Sequence, residues 1–79
     1  MSEPERPRLT GQQVRQVRKV LGLTSEGLGE RVGVRSDTVR KWESGRYSIP
    51  YGVRADLVTV AQDRIAEIQD AVTALLSAP

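Results

Sequence analysis

The stretch LGLTSEGLGERVGVRSDTVRKWESG, residues 21–45, decides the fold. Its apolar residues recur at helical spacing in two short runs, and Gly33 stands between them as a residue able to take positive φ and turn the chain sharply. Thr24 is suited to cap the first run, and Glu26 falls in its first turn, where a carboxylate complements the helix dipole. The spacing predicts a helix over roughly residues 25–32. Gly27 and Gly29 each weaken it by about 1 kcal/mol relative to alanine. Close approach to the helix that follows Gly33 explains Gly29, whereas the sequence offers no reason for Gly27. The second run, about residues 36–44, turns Val39 and Trp42 inward with help from Val34. Its other face holds only Ser36, Asp37, Arg40, Lys41 and Ser44, and Gly45 ends it. A short helix with a polar, basic face, held out by a compact scaffold, is suited to the major groove of a duplex.

Upstream, Thr10 and Gln13 have the spacing of a capping box, with Leu9 and Val14 placed as a hydrophobic staple. The helix they start is expected to run to about Leu21, to bury Val14, Val17 and Leu21, and to stop at Gly22. Residues 1–8, with Pro4 and Pro7 among Glu3, Glu5, Arg6 and Arg8, have no period and read as a flexible arm. Arg6 and Arg8 are there either a solvated tail or a minor-groove arm.

Downstream of the GRYSIP loop, Pro50 sits near the first turn of a fourth helix. No glycine or proline interrupts residues 53–78, so this helix is either long or broken once near Gln62 and Asp63. It carries two apolar stripes. Val53, Leu57 and Val60 suit the domain's own core. Val58, Ala61, Ile65, Ile68, Val72 and Leu75 alternate at spacings of 3 and 4, an a/d seam suited either to self-association or to folding back on the same chain.

Composition narrows the function classes. With 79 residues the chain is one small domain, near the size at which a single core needs help from a second chain. It has no cysteine and no histidine, which argues against disulfides, zinc sites and thiol or imidazole catalysis. No nucleophile–base pair or carboxylate pair marks a pocket, so neither an enzyme nor any metal, cofactor or small-molecule ligand is expected. No apolar run is long enough for a membrane, and the N-terminal residues have no apolar signal region; a cytoplasmic protein is expected. The net charge of +2 is unevenly spread. Residues 1–50 hold ten Lys/Arg against six Asp/Glu, and residues 51–79 hold two against four, so the basic half contains the helix pair.

Residues 9–50 resemble the helix-turn-helix domains of the Cro and phage-repressor type, the XRE family. The matching elements are Arg18 ahead of Leu21-Gly22-Leu23, Leu28-Gly29 where the family usually has Leu-Ala, Gly33-Val34 at the turn, and Trp42-Glu43-x-Gly45 closing the reading helix. The resemblance implies an all-α, lambda-repressor-like bundle. With the pattern outside it, this divides the chain into an arm over 1–8, a helix-turn-helix core over 9–50, and a C-terminal helix over 51–79 that completes the core and offers a stripe for pairing with a second copy.

The resemblance also implies roles. Arg18 and Glu43 form an ion pair, Trp42 anchors the core, and Ser36, Asp37, Arg40 and Lys41 fall at base-reading positions. Thr24, Ser25, Arg35, Ser44, Arg46 and Tyr47 fall at phosphate positions. Asp37 is open to three readings: accepting from cytosine N4, capping the helix, or orienting Arg40 and Lys41. Tyr47 and Tyr51 suit either phosphate bonding or packing. Arg35 stands where a small hydroxyl residue is usual, and Ser25 where a glutamine often touches phosphate. The expected function is a sequence-specific, double-stranded DNA-binding regulator, a homodimeric Cro-like phage repressor that occludes a promoter. The alternative is an antitoxin-type module whose C-terminal helix binds another protein while the helix pair represses its own operon.

Overall fold

The computed structural model describes residues 8–78. They form four helices: α1 (Gly11–Val20), α2 (Ser25–Val32), α3 (Ser36–Glu43) and α4 (Gly52–Ser77). No strand occurs among the described residues, so the fold is all-α as the pattern predicts.

Local chemistry sets most boundaries. Thr10 Oγ1 accepts from the Gln13 amide at 3.1 Å, while the Thr10 amide donates to Gln13 Oε1 at 2.9 Å, which completes the capping box of α1. Thr24 Oγ1 accepts from the Gly27 amide at 2.9 Å and caps α2. That bond also supplies the reason for Gly27, since a Cβ there would come within 3.2 Å of the capping oxygen. Gly33 ends α2 with φ +79°, a conformation that costs glycine little, and its amide bonds Gly29 O. The chain then re-enters a helix within three residues.

Nine apolar residues close the core: Val14, Leu21, Leu28, Val39, Trp42, Ile49, Val53, Leu57 and Val60. One of them, and one apolar residue outside them, modify the sequence-based expectation. Ile49, read as part of a loop, is buried as a member of the same cluster. Val17 is only partly buried, since it faces a groove beside α4 rather than the centre.

Two close backbone approaches hold the first three helices together. A Cβ on Gly29 would lie 2.6 Å from Val34 O, so α2 and the start of α3 nearly touch. A Cβ on Gly11 would overlap Trp42 O and come within 2.6 Å of Glu43 O, so the first turn of α1 rests against the last carbonyls of α3. Nothing in the pattern marked this second approach, because the partners lie more than thirty residues away.

α4 is continuous over its 26 residues, which removes the expected alternative of a break near Gln62 and Asp63. Its first third enters the core through Val53, Leu57 and Val60. Farther along, Arg31 grips Glu67 through two nitrogens at 2.8 and 2.9 Å, and Arg64 bonds both Leu21 O at 2.9 Å and Glu67 at 3.1 Å. The Arg31 guanidinium first, and Arg64 second, hold the Glu67 carboxyl down to about 2. Beyond Glu67 every described residue of α4 is exposed. The helix therefore leaves the body as a stem, and the radius of gyration of 15.2 Å exceeds the roughly 12 Å of a compact chain this long.

Gly11→Ala is expected to lower stability by about 1–3 kcal/mol through overpacking against the end of α3. Gly52→Ala, whose new methyl meets nothing within 4 Å, is expected to leave stability unchanged or to raise it by about 0.5 kcal/mol. Urea unfolding of the two variants checks the contrast.

Candidate nucleic-acid interface

The face of α3 is defined by what holds its back. Val39 is fully buried and Trp42 is 4% exposed, so this aromatic side chain is the core anchor and not a free platform. Beside them, Arg18 reaches across from α1. Its Nε and Nη2 donate to Glu43 Oε2 and Oε1 at 2.7 and 2.9 Å, and its Nη1 donates to Leu23 O at 3.1 Å. The two side chains are only 15% and 10% exposed, and the hydrogen bonding that Arg18 donates to Glu43 raises the Arg18 pKa above its ordinary value. One guanidinium thus ties α1, the α1–α2 loop and the end of α3 into a fixed relation.

With Val39 and Trp42 inward, the opposite side of α3 faces solvent. Asp37 and Arg40 are exposed, and Ser36 and Lys41 are partly so. Asp37 Oδ2 lies 2.9 Å from Lys41 Nζ one turn on. The same ammonium donates to Tyr47 Oη at 3.3 Å and sits 4.8 Å above the Tyr47 ring. The Lys41 hydrogen bond and charge lower the Asp37 pKa, and Asp37 followed by Tyr47 raises that of Lys41, so both stay charged near neutral pH. Asp37 is thus paired with Lys41, and Arg40 adds a weaker electrostatic contribution.

Arg35 occupies the N-cap position of α3 with extended backbone and no side-chain cap bond. The Thr38 and Val39 amides bond its carbonyl instead, at 3.0 and 3.2 Å, so its guanidinium is not used in capping. Arg46 and Tyr47 follow on a loop fixed by their amides, which both donate to Lys41 O, at 2.9 and 3.2 Å. Arg46 is exposed, and Tyr47, 49% exposed, meets the Lys41 ammonium. The Ser44 hydroxyl also donates to Lys41 O, at 3.2 Å, and so serves the helix end. Thr24 and Ser25 lie at the positive end of α2, exposed and partly exposed. Thr24 uses its oxygen as a cap acceptor, which leaves its hydroxyl hydrogen available.

The residues singled out from the sequence thus gather on one side: Ser36, Asp37, Arg40 and Lys41 on α3, flanked by Arg35 and by Arg46 with Tyr47. The sequence reading did not foresee the link from Lys41 to Tyr47. Its signal was Gly45, which at φ +81° folds the loop back over the last turn of α3. Arg8, the last residue of the expected arm, donates to Ile49 O at 3.4 Å and lies 4.8 Å over the Tyr51 ring, so Tyr51 is in packing contact. Arg6 and the rest of that arm lie outside the described residues.

No group of three or more potential metal-ligating side chains occurs among the described residues, and no described helix is long and apolar enough to cross a membrane. The arrangement presents charge and hydrogen-bonding groups on an exposed helix face, which suits a polyanion with readable edges.

Comparison with known proteins agrees with this geometry. Residues 10–68, about three quarters of the chain, match a family described as a helix-turn-helix domain. An uncharacterized HTH-type transcriptional regulator of Methanothermobacter thermautotrophicus is 57% identical over 35 residues, 44% of this chain and 51% of that protein. The matched segment spans about half the length of that relative.

Glu43→Ala, which strands Arg18 behind α3, is expected to cost about 3 kcal/mol, the lower end for breaking a buried pair, because both side chains still touch solvent. Arg31→Ala, at the exposed bridge to Glu67, is expected to change stability far less. Thermal unfolding of the two variants side by side measures the difference.

Proposed function

This chain belongs to the helix-turn-helix domain family, and we propose that it is a sequence-specific regulator of transcription that binds double-stranded DNA through α3. The observation that carries the reading is the Asp37–Lys41–Tyr47 cluster on the solvent face of a helix whose back is locked by Trp42 and the Arg18–Glu43 pair. Lys41 is held at a defined position before any ligand arrives, so it donates to guanine O6 and N7 with little further loss of side-chain freedom. Asp37 accepts from an exposed base amino group and repels phosphate, which disfavours a misregistered duplex. Ser36 and Arg40 complete the base-reading face. Arg35, Arg46, Tyr47, Thr24, Ser25 and Ser44 border it as phosphate contacts that set register.

The stem adds the second copy. Val58, Ile65, Ile68, Val72, Leu75 and Leu76 are each about half exposed or more. Burying one such side chain completely is worth about 1.5–3 kcal/mol, so covering all of them in a pair yields on the order of 10 kcal/mol gross. Association costs about 4–15 kcal/mol, which makes the free dimer marginal and the DNA-bound one favoured. A pair reads two half-sites about one helical turn, roughly 34–36 Å, apart. Occupying such a site within a promoter excludes polymerase, the mode of a Cro-like repressor, and takes place in the compartment that holds the chromosome.

Lys41→Ala is expected to reduce the preference for a selected duplex over a scrambled one by about tenfold. Arg46→Ala is expected to weaken both duplexes alike and to lower the salt slope of log affinity by about 0.9, one phosphate contact. Fluorescence-anisotropy titrations at several salt concentrations measure both. Equal loss on both duplexes for Lys41→Ala contradicts the base-reading role.

A further inference from the structure

The exposed stripe of α4 does not run over open surface along its whole length. At its body end it enters an apolar groove of about 200 Å³ between α1 and α4, lined by Leu9, Val17, Arg54, Leu57, Val58 and Ala61. At its far end Leu75 and Leu76 are the barest large apolar residues among those described, 77% and 82% exposed. Groove and tip are thus two halves of one unsatisfied surface. On a straight helix they lie too far apart to meet within one chain.

We propose that this groove is the socket for the tip of α4 from a second copy of the chain, the two stems crossing antiparallel and each tip filling the other's groove. The proposal rests on the dimer reading above and specifies its architecture. Setting the stripes antiparallel about a centre between Ile65 and Ile68 aligns every a position with a d position. Val58 then faces Leu75 of the partner, Ala61 faces Val72, and Ile65 faces Ile68, each pair occurring twice by symmetry. The smallest residue of the stripe, already partly buried against the body, receives a β-branched side chain, and the groove beside Val58 receives the bulky leucine end.

A parallel pair satisfies neither end. Val58 and Ala61 would face the same residues of the partner, each pair flanked by its own Leu9 and Val17, so the walls of the two grooves would meet before their floors.

The absence of cysteine from the chain permits a direct test. Val58→Cys and Leu75→Cys chains, both altered at exposed positions, are oxidised mildly on the selected duplex, each alone and after being mixed, unfolded and refolded together. A disulfide-linked dimer that forms only in the mixture is expected. Self-linking of Val58→Cys with no mixed product overturns the crossing while leaving a parallel dimer intact. A wild-type chain that sediments as a dimer on DNA while none of the three samples links places the dimer contact elsewhere and likewise overturns the proposal. A wild-type chain that sediments as a monomer both free and on DNA overturns this inference and the dimer reading together.

Discussion

The Arg18–Glu43 pair is the contact on which the geometry depends. Three of this domain's segments meet at it: α1 supplies the guanidinium, α3 the carboxylate and the α1–α2 loop the Leu23 carbonyl, while Gly11 at the start of α1 gives the backbone surface on which the end of α3 rests. An eight-residue helix such as α3 is not stable alone in water. It persists because Trp42 and Val39 bury one side and the ion pair fixes its rotation and its C-terminal end. Planar, two-point bonding by arginine is stricter than a lysine contact would be, so the pair sets orientation as well as proximity. The solvent face of α3 is consequently a defined surface and not an average over many.

Much of this was legible before any coordinates, and the reason is locality. Caps are short-range chemistry, so Thr10 with Gln13 and Thr24 before Ser25 marked two helix starts within a few residues. The stripe Val53, Leu57, Val60 identified the buried side of α4 because helical spacing alone separates it from the exposed side. Gly29 was explicable because its neighbour in space, Val34, is also its neighbour in sequence. The features that were not legible are those whose partners are distant. Gly11 against Glu43, Ile49 in the core, Arg8 over Tyr51 and the bridge from Arg31 to Glu67 each depend on how separate elements come to rest. The Arg18–Glu43 pair is also distant, and family resemblance, not pattern, brought it forward.

The candidate site divides in the same way. That Ser36, Asp37, Arg40 and Lys41 share a face follows from helical periodicity. That Lys41 is held between Asp37 and Tyr47 does not, since it requires the loop after Gly45 to fold back over the helix. The consequence is a face with two kinds of charge: Lys41 restrained by its neighbours, and Arg35 and Arg46 at the periphery, neither making a side-chain hydrogen bond to another described residue. Restraint favours discrimination among bases, and loose peripheral cations favour tolerant contact with phosphate. The stem contributes by a different route. Arg31, Arg64 and Glu67 fix the direction in which α4 leaves the body, so whatever pairs with its far half is placed at a set distance from α3.

Selection from a random duplex pool by the purified chain, followed by sequencing of the bound fraction, tests most directly whether the solvent face of α3 reads sequence. The expected result is strong enrichment of a short motif, present as two inverted copies about one helical turn apart. A bound fraction no different in sequence from the input pool would contradict it.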